Sequence, residues 1–172
     1  MKLKVIDVVV LGMLGAVMYA SKAIMAMLPN IHLLGVIIVA TTVVYRKKAI
    51  FPIYIYASLL GLFEGFTVWW IPNLYTWTVL WGAVMLLPKK MPNKIAVIVY
   101  MIVCGLHGFL YGVLCAPSQA LFFGLNFNST IAWIISGIGF DITHGISNTL
   151  CGLLIVPLIS VLKRAERYAS RT

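Results

Sequence analysis

Five ionisable side chains interrupt the apolar segments of this sequence: Lys22, Glu64, His107, Asp141 and His144. An ionised side chain at the centre of a bilayer costs about 2.5–3.5 kcal/mol even on a lenient insertion scale. Acids, a base and imidazoles together offer both charge and hydrogen bonds to a polar molecule. The set therefore predicts a pocket for a polar, ionisable solute inside a membrane-embedded protein.

The polar residues of the last apolar segment fall on one helical face. Asp141, His144 and Asn148 follow i, i+3, i+7 spacing, which places their side chains together on a helix. In the preceding segment, Tyr111 is a same-face neighbour of His107. We expect these residues to contribute to the same pocket.

Aromatic residues concentrate between positions 69 and 81. Interfacial belts enrich Trp and Tyr without any ligand, and this explains Trp69 or Trp70 individually. Trp77 and Trp81 are four residues apart on one face and extend deeper than a belt, so they are suited to stack on a flat heterocycle. The predicted binding residues of this region and of the first outer loop are His32, Trp69, Trp70, Asn73, Trp77 and Trp81.

Two other interpretations of the ionisable residues stay open. Lys22 can form a purely structural ion pair with Asp141 or Glu64, with the histidines bonded to carbonyl groups. Alternatively, Asp141, His144 and His107 can form the centre of an intramembrane enzyme.

The composition identifies an integral membrane protein. Hydrophobic residues make up 62% of the chain and charged residues 10%, whereas soluble domains carry about 25% charge. Twelve of the thirteen Lys and Arg residues flank apolar runs, in clusters near positions 2–4, 46–48, 89–94 and 163–171. The positive-inside rule explains the net charge of +9. We therefore expect no nucleic-acid partner. Lys22 is the exception.

Apolar runs between these clusters predict an all-α protein with one transmembrane domain over residues 1–172. Because every basic cluster then lies on one side, both termini are expected in the cytoplasm. The segment from Ala116 to Thr130 carries no charge and is expected to form a lid or a partly inserted loop. The six predicted helices span about residues 5–28, 31–45, 49–68, 74–87, 95–115 and 131–162.

Common catalytic and cofactor motifs are absent from the sequence. There is no P-loop, so the chain is not expected to hydrolyse ATP, and neither HExxH nor GxSxG occurs. The cysteines (Cys104, Cys115 and Cys151) show no CxxC spacing and predict neither a disulfide framework nor a zinc site. We therefore expect no enzyme activity, no cofactor and no metal.

Small residues recur every four positions on the first helix, at Gly12, Ala16 and Ala20. Such a stripe lets two helix backbones approach closely, either within this bundle or against a partner subunit. Together with the length and the six-helix pattern, Ala16 and Ala20 give the chain a resemblance to the substrate-binding S component of energy-coupling factor (ECF) vitamin transporters, which carry an Ala-x-x-x-Ala pattern on helix 1.

The resemblance implies a function and a set of partners. An S component of this kind resides in the bacterial plasma membrane and binds a small water-soluble vitamin or precursor from outside. Its first helix docks on a shared transmembrane subunit, which joins two cytosolic ATPases. The second hypothesis is an autonomous carrier coupled to protons or cations, with Asp141, His144 and Glu64 as a relay.

Overall fold

A computed structural model of the chain describes residues 3–28 and 30–169. Sequence predictions that fall on Lys2, Pro29 and Arg171 lie outside the described residues. Within this part of the chain the secondary structure is entirely helical, with no β-strand. The predicted all-α class is confirmed.

The α-helices of the described residues differ in length by about a factor of two. Short 3-10 helices join some of them, at Arg46–Ala49, Ile71–Leu74 and Gly152–Leu154. The α-helices are α1 (Val5–Ile24), α2 (Leu34–Tyr45), α3 (Ile50–Glu64), α4 (Thr76–Leu86), α5 (Asn93–Phe109), α6 (Tyr111–Phe123), α7 (Phe127–Cys151) and α8 (Ile155–Ala169).

Three helical segments among the described residues are long and apolar enough to cross a membrane. They are Val5–Ile24, the nearly continuous pair α5 and α6 at Asn93–Phe123, and the α7–α8 rod at Phe127–Tyr168, with 20, 31 and 42 residues. At 1.5 Å per residue, each reaches about 30 Å or more, the thickness of a hydrocarbon core. The structure thus supports a membrane protein with several apolar helices.

The segment from Ala116 to Thr130, expected to form a lid or a partly inserted loop, is mainly helical, which corrects the expectation of a loop. α6 continues through Pro117 to Phe123, and Gly124 ends it in the left-handed conformation, with φ of 61°. The Asn126 side chain then accepts a hydrogen bond from the Ser129 N–H at 2.9 Å and caps α7. The turn therefore occupies only a few residues, because a glycine C-cap and an asparagine N-cap lie this close together.

Several helices are shorter, at the end that faces the cavity described below, than the sequence predicts. α1 ends at Ile24, α3 ends at Glu64, and α2 begins only at Leu34. Gly65 stops α3 because its φ of 96° is accessible to glycine and strained for other residues. These shortened ends leave residues 25–28, 30–33 and 65–70 outside the α-helices at one end of the molecule.

Helix α2 is the centre of the packing. Every residue from Leu34 to Thr42 is buried, so this helix is enclosed on all sides rather than amphipathic. It packs against α4 and α8, while α1 packs against α3. Glycines bring α5 close to α7, since a Cβ at Gly108 would lie 2.8 Å from the Cα of Gly145.

Basic residues mark the opposite end of the molecule. Lys48 forms an ion pair with Asp7 on α1 at 2.8 Å, and Arg46 Nη2 donates to the carbonyl oxygen of Met85 at 2.9 Å. These contacts gather the start of α1, the α2–α3 junction and the end of α4 at one level. The polar groups that face the cavity lie at the opposite end of the molecule, about the length of a helix away.

The α5–α7 contact gives a test of the packing. Gly108→Ala is expected to lower the free energy of unfolding by about 1–3 kcal/mol, because the added methyl group would overlap the α7 backbone. The matched variant Gly82→Ala meets nothing within 4 Å, and should be neutral or stabilising by up to about 1 kcal/mol. Thermal unfolding of the detergent-solubilised protein, followed by tryptophan fluorescence, measures both changes. Equal stability of the two variants would contradict the close α5–α7 packing.

Candidate functional site

A cavity of about 390 Å³ opens at the end of the molecule opposite Arg46–Lys48. Its walls come from the end of α1, the segment 30–34, α3, the segment 65–73, and single residues of α4, α6 and α7. Binding pockets for small molecules typically have volumes of about 300–1,000 Å³. Nine of the predicted binding residues line it: Lys22, His32, Glu64, Trp69, Trp70, Asn73, Trp77, Tyr111 and His144.

Trp77 forms the centre of the cavity floor and is 2% exposed. Its ring centroid lies 5.2 Å from that of His107, 5.7 Å from that of Tyr111 and 5.8 Å from that of His32. Tyr56 approaches edge-on at 6.5 Å. Rings at such distances in tilted or edge-to-face arrangements pack favourably. The floor is thus a rigid aromatic surface suited to a flat ligand.

Asn73 holds Trp77 in place. The indole Nε1–H donates to Asn73 Oδ1 at 2.9 Å, and Asn73 Nδ2 donates to the carbonyl oxygen of Trp69 at 3.1 Å. The amide therefore connects the floor residue on α4 to the loop that carries Trp69. Asn73 is a positioning residue for the floor as well as part of the wall.

All three histidines of the chain converge beside the cavity. The His144 ring lies 4.6 Å from the ring of His32 and 4.9 Å from that of Tyr111. His107 lies below Trp77, where its Nε2 is 2.9 Å from the Thr76 carbonyl oxygen and donates to it. Desolvation lowers the pKa of His32, in the segment between α1 and α2, to about 4. At neutral pH this imidazole therefore offers one donor and one acceptor.

His144 and His32 both carry ring nitrogens of the cavity that are buried without a hydrogen-bond partner among the described residues. The His144 side chain is 2% exposed, and neither of its ring nitrogens has such a partner. A buried polar group without a partner costs about 1–3 kcal/mol. A ligand with its own donor or acceptor is therefore favoured directly above this ring.

The mouth of the cavity carries an ion pair between α1 and α3. Lys22 Nζ donates to both carboxylate oxygens of Glu64. The side chains are 29% and 41% exposed, respectively. Of the two partners expected for Lys22, the structure therefore places Glu64 beside it and Asp141 elsewhere.

Tryptophans of the segment 65–75 cover the cavity from the side. Trp70 Nε1–H donates to the Ala57 carbonyl oxygen at 2.7 Å, and the Phe66 ring lies 5.0 Å from the Trp70 ring. A Cβ at Gly61 would overlap Phe66, so glycine there permits this packing. Trp69 is 61% exposed and is free to contact a ligand or the membrane surface.

Four predicted binding residues lie outside this cavity. Trp81 is one turn beyond Trp77, and its Nε1–H donates to the Arg46 carbonyl oxygen at 3.1 Å, at the basic end. His107 contacts Trp77 from below, so it supports the floor without lining the cavity. Asn148 is fully buried between α5 and α7, with Nδ2 3.4 Å from the Cys104 carbonyl oxygen.

Asp141 is the fourth, and it lines a separate cavity. Its carboxylate Oδ1 accepts a hydrogen bond from the Gly112 N–H at 2.9 Å, between α7 and α6. Helical spacing placed Asp141 correctly on the face of His144, but the two are almost one turn apart. Because of this separation along the axis of α7, Asp141 lies beside α6 and His144 lies beside His32.

The sequence interpretation missed Tyr56 and Leu60, which line the cavity. Both share a helical face with Glu64, since positions 56, 60 and 64 are spaced by four residues on α3. That spacing was a usable signal. Asn30 and Thr67 also line the cavity, and as loop residues they have no periodic signal.

No group of three or more His, Cys, Asp or Glu side chains in the described part of the chain is arranged to hold a metal ion. Comparisons of the chain with protein-family models, with curated proteins and with solved structures each find no match.

The Lys22–Glu64 pair gives a test that separates a structural role from a binding role. Lys22→Met and Glu64→Gln are each expected to change the free energy of unfolding by less than about 1 kcal/mol, because the pair is partly exposed. Thermal unfolding in detergent measures this. A loss of about 3 kcal/mol or more, as for a buried pair, would show that the pair fastens α1 to α3.

Proposed function

We propose that the chain is the membrane-embedded, high-affinity binding subunit of an ECF-type importer for a small water-soluble vitamin or vitamin precursor. The observation that carries the proposal is the cavity at one end of the molecule. It combines an aromatic floor, a buried imidazole without a protein partner and an ion pair at its mouth. Such a lining complements a flat heterocycle with polar substituents.

The proposed topology is a six-helix bundle in the bacterial plasma membrane. It counts α1, α2, α3 and α4 once each, α5 with α6 as the fifth helix, and α7 with α8 as the sixth. Lys48, Asp7 and Arg46 lie at one end. The positive-inside rule assigns this basic end to the cytoplasm, with both termini, and the cavity to the outer face.

The surface of α1 supports the proposed contact with a transmembrane partner subunit. Ala16 and Ala20 are exposed, and a Cβ at Gly12 would meet nothing within 4 Å. Gly15, which borders this stripe on the helix surface, is buried against Ile55 of α3. The stripe of Gly12, Ala16 and Ala20 is therefore not used for packing within the described protein, and it leaves a shallow surface on which another helix can lie closely.

The proposed transport cycle assigns binding to this chain and energy coupling to its partners. The solute enters from outside, and the segments around residues 30–33 and 65–73 close over it. Two cytosolic ATPases, joined through the partner subunit, then drive release inward. The proposal of an autonomous carrier is less well supported, because Glu64 and His144 line the first cavity while Asp141 lines the second.

A ligand screen on the isolated subunit tests the binding function. Purified protein is mixed with single vitamins and precursors, and its thermal unfolding is measured without any partner subunit. A compound present at a thousandfold excess over its Kd is expected to stabilise the protein by about 4 kcal/mol.

Paired variants on α4 locate the ligand found in this screen. Trp77→Phe is expected to weaken its binding at least tenfold, because it loses the indole and the hydrogen bond to Asn73. Trp81→Phe makes the same change one turn away, at the basic end, and should retain the affinity. A panel without any stabilising compound would contradict the proposed function, and equal effects of the two variants would contradict the proposed site.

The docking surface is tested separately in cells that contain the partner subunits. Ala16→Leu and Ala20→Leu are expected to abolish uptake of the ligand while leaving its affinity for the purified subunit unchanged, since both side chains are exposed. Val17→Leu is the matched control, because Val17 is also exposed but lies off the stripe. Normal uptake by both alanine variants would exclude α1 as the docking helix.

A further inference from the structure

A second cavity, of about 320 Å³, lies between α6 and α7 beside the first. Asn30, Trp69 and Tyr111 line both cavities and form the wall between them. The other described residues that line the second cavity include no histidine or lysine and are mostly apolar, unlike those of the first cavity. The two cavities therefore favour different ligands.

Asp141 is the single charged side chain among the described residues that line the second cavity. It is 7% exposed, and its one hydrogen bond in the protein is the one that Oδ1 accepts from the Gly112 N–H. The other carboxylate oxygen has no protein donor, and no Lys, Arg or His pairs with this acid in the described residues. A buried carboxylate needs a cation or further donors to offset its desolvation.

Aromatic side chains line the same cavity as this carboxylate. Trp133 and Phe140 of α7 and Tyr111 of α6 contribute their side chains, with Trp69 at the outer end. A carboxylate combined with aromatic faces is the arrangement that binds ammonium groups, by ion pairing and by cation–π attraction. The apolar part of the wall suits a hydrocarbon body on the same molecule.

We propose that the second cavity binds a small organic cation, with its ammonium group on Asp141 and its apolar body against Trp133 and Phe140. The ammonium supplies donors to the free carboxylate oxygen, while Gly112 continues to hold the other oxygen. A Cβ at Gly112 would overlap the carboxylate, so glycine at this position is needed for Asp141 to lie as it does. The site does not depend on which solute occupies the first cavity.

Two probes that differ in one group test the chemistry. Phenethylammonium and 2-phenylethanol share an aromatic body, but only the first is charged at pH 7. Isothermal titration calorimetry of the purified full chain in detergent, with protein-free micelles as the blank, is expected to give a Kd at least tenfold lower for phenethylammonium. Equal affinities for the two probes would show that the cavity recognises only the apolar body, and would overturn the proposal.

Two independent variants then locate the cation. Asp141→Asn keeps an acceptor for the Gly112 N–H and the shape of the side chain, and it is expected to abolish the preference for phenethylammonium. Gly137→Leu fills the second cavity from α7, where an added Cβ meets nothing within 4 Å, and is expected to abolish binding. Gly139→Leu, which also meets nothing within 4 Å and lies outside the cavity lining, is the matched control and should bind normally.

The same titrations distinguish the second cavity from the first. Unfolding temperatures of the variants first establish that each is folded. If Glu64→Gln abolished the preference for the cation while Asp141→Asn and Gly137→Leu kept it, the ammonium would lie at the mouth of the first cavity and the proposal would be wrong. Loss of preference in Asp141→Asn together with loss of binding in Gly137→Leu supports it.

Discussion

Hydrocarbon cannot solvate a polar side chain, and the arrangement of this protein follows from that constraint. Each polar group within the apolar helices must find a partner or a polar cavity inside the protein. Lys22 pairs with Glu64, His107 bonds to the Thr76 carbonyl group, and Asp141 accepts from Gly112. The outward-facing residues are correspondingly apolar, as at Val17, Ile102 and Leu106. Chemistry is confined to the interior and to the two ends.

The all-α class was predictable from the long apolar runs between the basic clusters, because a chain in hydrocarbon must satisfy its backbone polar groups internally, as a helix does. Basic clusters separated the helices, and the structure brings Arg46, Lys48 and the start of α1 to one end. The helix ends were harder to predict from the sequence, since they depend on local capping residues. Gly124 and Asn126 produce a turn within a segment that its lack of charge had suggested to be a lid. A charge pattern does not report on capping.

The candidate site was predictable as a set of residue types and only partly as a set of contacts. Helical periodicity places Asp141 and His144 on one face of α7, and Trp77 and Trp81 on one face of α4. It does not show which neighbouring helix each residue contacts at its position along the helix axis. One turn separates a residue in the cavity from one outside it in both pairs. Trp81 thereby bonds to Arg46 at the basic end, while Trp77 contacts four rings at the cavity floor.

Several polar side chains around the first cavity are already paired within the protein. Glu64 is paired with Lys22 and Asn73 holds Trp77, whereas His144 has no hydrogen bond to any described residue. What remains available is a stacking surface and the imidazoles of His32 and His144. These groups gain most from a ligand that satisfies them, because a preorganised site loses little entropy on binding.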